Sequence, residues 1–217
     1  MQNHIYLVGC AATRECYAVD ACWDTAGIAG YARRNKMRLV GAIGTHYHFD
    51  HCGGAVPPQM AAMVSGPFGG KPTLPGLREM KRDHGAAVHV HAREVERIAE
   101  QCELDLAEIS PLEQGARLPL GEAGELEVLH TPGHSGGSIC LCVQPSGGAP
   151  LCLLSGDTIF PGSCGRLDLP DSDVDLMFES LAQLRKLPEE LKVYPGHASK
   201  LQYIRCTTLA PLGRLVH

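Results

Sequence analysis

Thr45-His46-Tyr47-His48-Phe49-Asp50-His51 is the stretch on which the reading of this chain turns. In an extended backbone, residues two apart project to the same side, so His46 and His48 share a face. A turn directly after them brings Asp50 and His51 towards the same cavity from its other edge. Imidazole and carboxylate are ligand types that suit zinc, iron or manganese at neutral pH. With 11 His in 217 residues, three at set offsets arise by chance about once in 10⁴ start sites. The aspartate makes coincidence rarer still, and the segment reads as a metal-binding loop.

Working outward, residues 39–43 form an apolar run that reads as a buried strand feeding this loop. Upstream, two short β-rich runs at 5–8 and 17–19 suggest an N-terminal hairpin. Asp24-Thr25 is placed to cap a helix over 26–36. Downstream, residues 57–76 are rich in Pro and Gly and predict an irregular loop near the site. A helix at 77–84, a strand at 86–90 and a charged helix at 92–102 follow. Further strands are expected near 126–130, 138–143, 151–154 and 192–194, with a helix over 173–186. Residues 1–217 read as one domain in which strands and helices interleave. The pattern fits a two-layered sheet core covered by helices better than a doubly wound parallel sheet.

Three further pieces support a metal site. Leu129-His130-Thr131-Pro132-Gly133-His134-Ser135 follows a strand, and its Pro-Gly turn can fix the loop that presents His134. Ser155-Gly156-Asp157-Thr158 follows an apolar run, which sets Asp157 at a strand end. Tyr194-Pro195-Gly196-His197 repeats the arrangement of strand, Pro-Gly and His.

The H-x-H-x-D-H segment followed in order by His134, Asp157 and His197 resembles the metallo-β-lactamase superfamily over nearly the whole chain. The resemblance implies an α+β fold, the four-layered αββα sandwich, with the site at one edge of two sheets. It implies that His46, His48 and His134 hold one metal and that Asp50, His51 and His197 hold a second. Asp157 would bridge them. Gly156-Asp157-Thr158-Ile159-Phe160 and Ser163-Cys164-Gly165-Arg166 look like the glyoxalase II group, the hydroxyacylglutathione hydrolases. The chain departs from that group at Asp168, where its contact segment carries Tyr, and at Ser199. Twenty residues follow His197, which leads to the expectation of no C-terminal glutathione-binding extension.

The activity this implies is hydrolysis of a thioester or related ester of a small molecule by a metal-bound hydroxide. Two divalent metals are expected, zinc first, with iron or manganese also suited. Asp50 is the candidate catalytic residue, ligating metal and orienting the nucleophile. Arg166 is a candidate contact for a substrate carboxylate. Other readings are a persulfide dioxygenase with one iron on His46, His134 and Asp157, a lactonase, and a non-catalytic metal-stabilised binding protein.

Composition narrows the partners. The formal net charge of -5 gives no basic surplus for nucleic acid. No apolar run approaches the ~18 residues needed to span a membrane. No signal-peptide pattern opens the chain, and a cytoplasmic protein is expected. Its 10 Cys include no C-x-x-C pair and read as reduced, buried small hydrophobes. The sequence leaves the oligomeric state open, a homodimer being one option.

Several other residues invite a functional role. His89 and His91 alternate along a strand, where strand-face or helix-capping roles are expected. His130 reads as a satisfied histidine or a hydrogen-bonding neighbour of the site. Cys52 reads as core. Met60, Met63 and Phe68 line either a substrate pocket or the loop's own packing. Asp168, Asp171, Asp173 and Asp175 read as a solvated run at a helix start.

Overall fold

The computed structural model describes residues 2–63 and 72–198. Its first half builds one sheet. Strands β1 (Tyr6–Gly9) and β2 (Glu15–Val19) form the expected antiparallel hairpin. Helix α1 (Thr25–Arg34) follows, its Gly27 N–H bonded to the Asp24 carboxylate at 2.8 Å. That is the capping contact the sequence announces. The helix ends earlier than expected because Lys36 takes a left-handed φ of 57°. Strand β3 (Arg38–Ile43) then leads into helix α2 (Phe49–Cys52), a single turn.

The expectation of an irregular stretch over 57–76 is corrected in part. A 3₁₀ turn occupies Pro58–Met63, and short strands β4 (Gly54–Ala55) and β5 (Thr73–Leu74) pair across the stretch. Met60 packs with Trp23 against Phe49, Val56 and Leu74, so it serves the loop's own packing. Residues 64–71, with Phe68, and the side chain of Met63 lie outside the described residues.

Helix α3 (Leu77–Arg82), strand β6 (Ala87–His91), helix α4 (Val95–Cys102) and strand β7 (Ile109–Leu112) complete the first sheet. Its order is β1-β2-β3-β6-β7. Residues 92–94 form a 3₁₀ turn ahead of α4, and His91 caps it by accepting from Arg93 N–H at 3.3 Å. The second half comprises β8 (Arg117–Pro119), β9 (Gly124–His130), β10 (Ile139–Pro145), β11 (Cys152–Gly156), the small pair β12 (Ile159–Phe160) and β13 (Ser163–Cys164), helix α5 (Val174–Leu184) and β14 (Lys192–Pro195). The second sheet runs β14-β11-β10-β9-β8.

The side-chain alternation of the strands assembles the layers. Tyr17, Val19 and Ile43 of the first sheet meet Leu126, Val128, Ile139, Leu141 and Val143 of the second in one core. Between them in sequence, Ala18, Ala42, Val88 and Val90 face the other way, against Leu77 and Met80 of α3 and Ile98 of α4. Cys140 and Cys142 likewise turn outward and pack with Leu184 of α5. Helix, sheet, sheet and helix are therefore stacked as expected. Fully buried side chains such as Leu141 each contribute about 1.5–3 kcal/mol of burial. Seven of the nine described cysteines are buried, as small hydrophobes should be.

Strands β7 and β8 are additions to the sequence reading. Each contains a proline, Pro111 or Pro119, which weighs against a strand. Both lie at sheet edges, where a missing N–H is tolerated.

Candidate metal centre

β3 ends at Ile43, and the chain bends over residues 45–47 in place of the extended run expected, before His48, whose φ and ψ are -56° and 139°, leads into α2. The bend still sets His46 Nε2 2.9 Å from His48 Nδ1, and α2 carries Asp50 and His51 inward. His46 and His51 are almost wholly buried. From the second sheet, the loop after β9 brings His134 Nε2 to 3.0 Å from His48 Nδ1. That loop is tied to the end of β11 by a 2.8 Å bond between Thr131 and Thr158 hydroxyls.

Asp157 follows β11 at the centre. Its Oδ2 lies 3.6 Å from His134 Nε2 and 3.2 Å from His197 Nε2, and its Oδ1 lies 3.5 Å from His51 Nε2. His197 follows β14, with Nε2 3.4 Å from Asp50 Oδ2 and 3.1 Å from His51 Nε2. Glycines make this convergence possible. A Cβ on Gly196 would sit 2.4 Å from Asp157 Oδ1, and Gly156 adopts a φ of +48° with Thr45 Oγ1 2.6 Å from where its Cβ would be. A side chain at either position would push the strand ends apart.

Three donor sets could each hold a cation: His46, His48 and His134; His46, His51 and Asp157; and Asp50, His51 and His197. All seven histidines and aspartates picked out in the sequence thus meet in one place. The residues fit a metal on two observations. Imidazole nitrogens face one another at 2.9–3.1 Å, where lone pairs repel unless a cation or proton lies between them. Asp157 Oδ1 is buried without a hydrogen-bond partner, a costly state for a carboxylate oxygen.

Neighbouring groups set the tautomers. His134 Nδ1–H donates to the Arg166 carbonyl at 2.9 Å, leaving Nε2 free to ligate. Arg166 thus touches the site through its backbone, while its exposed guanidinium forms a two-point ion pair with Asp168. His51 Nδ1–H donates to Asp20 Oδ2 at 2.8 Å. Asp20 also accepts from Thr45 N–H at 2.8 Å and from the Thr45 hydroxyl at 2.9 Å. Thr45 Oγ1 in turn lies 3.1 Å from His46 Nδ1.

Burial, then the charge of His51, holds His46 well below the usual histidine range. Burial and His134 bring His48 down to about 4. Burial also lowers His134. At His51 burial opposes the proton, but Asp20 and Asp157 outweigh it and raise the ring to about 9. His197 is raised as well, with burial overcome by its bond to Asp157. Asp157 is lowered because His51 and His197 prevail over its burial.

Sequence reasoning passed over Asp20 and Glu94. Asp20 ends an apolar strand much as Asp157 does, so a strand-end carboxylate was the available signal. Glu94 read as part of a charged helix, yet it is buried. It accepts from Ser135 Oγ at 2.5 Å and Gly137 N–H at 2.9 Å, bracing the His134 loop. Asp171 also departs from the solvated-run reading. It accepts from the Tyr47 hydroxyl at 2.7 Å and pairs with Arg97, whose guanidinium covers the Tyr47 ring. A cleft of about 290 Å³ opens there, lined by Tyr47, Arg93, Glu94, Arg97, Gly136, Gly137 and Asp171. Asp173 caps α5 through Leu176 N–H at 2.9 Å.

The remaining candidates belong to none of the three donor sets. His91 and His130 stack with ring centres 3.9 Å apart, and His130 Nε2 lies 3.0 Å from the Gly136 carbonyl. His89 sits edge-on to Tyr17. Cys52 is core, its thiol directed at the His46 carbonyl. Among the described residues, no helix is long and apolar enough to cross a membrane.

Comparison with known proteins follows the same lines. The chain is 32% identical over 205 residues to the hydroxyacylglutathione hydrolase of Pseudomonas entomophila, covering 94% of this chain and 64% of that one. The hydroxyacylglutathione hydrolase of Rhodospirillum rubrum is 29% identical over 195 residues, covering 90% and 62%. The chain therefore spans about three fifths of the length of these curated relatives. Among solved structures, TTHA1623 in a di-iron-bound form superposes with a TM-score of 0.64 at 28% identity, covering 92% of this chain and 89% of that one. The family profile described as the metallo-beta-lactamase superfamily matches residues 75–197. With that match over more than half its length, and with its αββα layers, the chain belongs to the metallo-beta-lactamase superfamily.

Proposed function

We propose that the chain is a metal-dependent hydrolase of glyoxalase II type, cleaving a thioester or related ester of a small molecule. The observation that carries this reading is the meeting of five histidines and Asp50 around Asp157, whose Oδ1 is buried without a hydrogen-bond partner. In this reading His46, His48 and His134 would hold one metal, Asp50, His51 and His197 would hold a second, and Asp157 would serve both. Zinc suits the mixed nitrogen and oxygen donors, as do iron and manganese. The di-iron form of TTHA1623 supports two metals, and the relatives named hydroxyacylglutathione hydrolase support the reaction class.

When bound, the metals supply Lewis-acid polarisation of a carbonyl and a water whose pKa falls towards about 7. The chain's own groups do the rest. Asp50, buried at the edge of the site, orients the attacking water through its carboxylate. Asp20, Thr45 and the Arg166 carbonyl fix the imidazole rings, so little reorganisation accompanies the reaction. A thiol ionises near pH 8.5, so a thiolate leaves without strong help from a general acid. Arg166 pairs with a substrate carboxylate by exchanging it for the exposed Asp168.

One metal-analysed preparation tests the reading. Incubation with a hydroxyacylglutathione and with a glutathione-free thioester is expected to release thiol from at least one of them, with no oxygen consumed. Oxygen uptake with glutathione persulfide, without thiol release from either thioester, would replace the hydrolase with a dioxygenase.

A further inference from the structure

We infer that Asn3 is a positioning residue for Asp50 and thereby for the second metal. The inference rests on the two-metal reading above and adds to it a residue from the opposite end of the chain. The Asn3 carboxamide nitrogen donates to the Asp50 backbone carbonyl at 2.8 Å and to Asp50 Oδ2 at 3.1 Å. Oδ2 is the same oxygen that faces His197 Nε2 at 3.4 Å and His51 Nε2 at 3.8 Å. Among the described residues, Asn3 is the one donor other than an imidazole on that carboxylate.

The orientation of the amide follows from the chemistry. Turned over, Asn3 would aim its carbonyl oxygen at two acceptors, so the nitrogen must face Asp50. The outward consequence is that Asn3 Oδ1 is buried with no hydrogen-bond partner. Leaving a buried acceptor unmade costs about 1–3 kcal/mol. The two bonds of the amide nitrogen to Asp50 offset that penalty.

The backbone delivers Asn3 to this point by a separate route. Asn3 forms an antiparallel bridge with His197, flanked by His4 N–H bonding to the Gly196 carbonyl at 2.8 Å and Ala198 N–H bonding to the Gln2 carbonyl at 3.2 Å. One short segment therefore clasps the main chain beside one ligand of the second set and the side chain of another. Bound to both the backbone and the carboxylate of Asp50, the amide restricts its rotamer. It also draws charge from Oδ2 by a charge-assisted bond.

Zinc titration of the metal-free full chain against a chromophoric chelator tests this, with Asn3→Leu removing the amide at similar volume. The wild type is expected to show two affinities. In Asn3→Leu the weaker-bound metal should lose about 10–100-fold in affinity, while the His46, His48 and His134 set changes by less than about threefold. Asn3→Gln, which keeps the amide, should retain more of the lost affinity than Asn3→Leu. Thermal unfolding of each metal-free variant checks folding, and Asn3→Ala replaces a variant that does not fold. Two unshifted affinities, or equal weakening of both, would overturn the role of Asn3 alone. A wild type taking a single metal would overturn the two-metal reading and this inference with it.

Discussion

The His46, His48 and His134 set and the Asp50, His51 and His197 set share one pocket but are held in opposite protonation states. In the first, burial and neighbouring rings keep the imidazoles neutral, with His48 at about 4. The hydrogen bonds behind its rings go to neutral oxygens, the Thr45 hydroxyl and the Arg166 carbonyl. In the second, carboxylates surround the rings and raise His51 to about 9. The first set is ready for a cation as it stands. The second must release protons first, and its geometry depends on charge pairs. Two donor sets in one pocket can therefore differ in cation affinity and pH response through the groups behind the ligands as well as through the ligands themselves.

The largest expected effect comes from removing what the two sets share. Asp157→Ala should lower hydrolysis by about 10³-fold or more and weaken both metals, because it deletes the proposed bridge. Steady-state kinetics with metal analysis checks this, and unchanged turnover would dissolve the two-set description. Next comes Asp20→Asn, which removes the carboxylate behind His51. Affinity in the second set should fall about 10–100-fold, more than in the first, which Asp20 reaches only through Thr45. Equal losses in both sets would mean that Asp20 supports the loop as a whole.

The smallest effect, per unit of the variable changed, is the pH slope, and its sign follows from the protons displaced. His51 carries its proton below about 9, and metal binding must remove it. Affinity in the second set should thus rise about tenfold per pH unit between roughly 6 and 8, and more steeply where His197 is also protonated. With His48 at about 4 and His46 and His134 lowered, the first set has little to release over that range and should stay nearly flat. Zinc titrations at several pH values measure both slopes. Parallel slopes would break the contrast, and in Asp20→Asn the second slope should flatten as His51 loses its main partner.

Much of this was legible in the sequence because ligand chemistry belongs to the side chain itself. His46 and His48 stay together through their spacing of two, although residues 45–47 bend where an extended backbone was expected, and His134, Asp157 and His197 needed only strand ends followed by tight turns. Continuous apolar runs such as 139–143 likewise announced strands buried on both faces. The layers follow from covering those faces, Ile139 and Leu141 by the other sheet and Cys140 and Cys142 by α5.

What tertiary structure decided is everything that depends on distance between segments remote in the chain. Asp20, Glu94 and Asn3 carry no local pattern that distinguishes them from ordinary polar residues, and each acts through partners at least 25 positions away. The prolines of β7 and β8 argued against strands until the fold put them at edges. Protonation belongs here too. His46 and His51 are the same side chain five positions apart in one loop, yet burial among rings discharges one and a buried carboxylate charges the other.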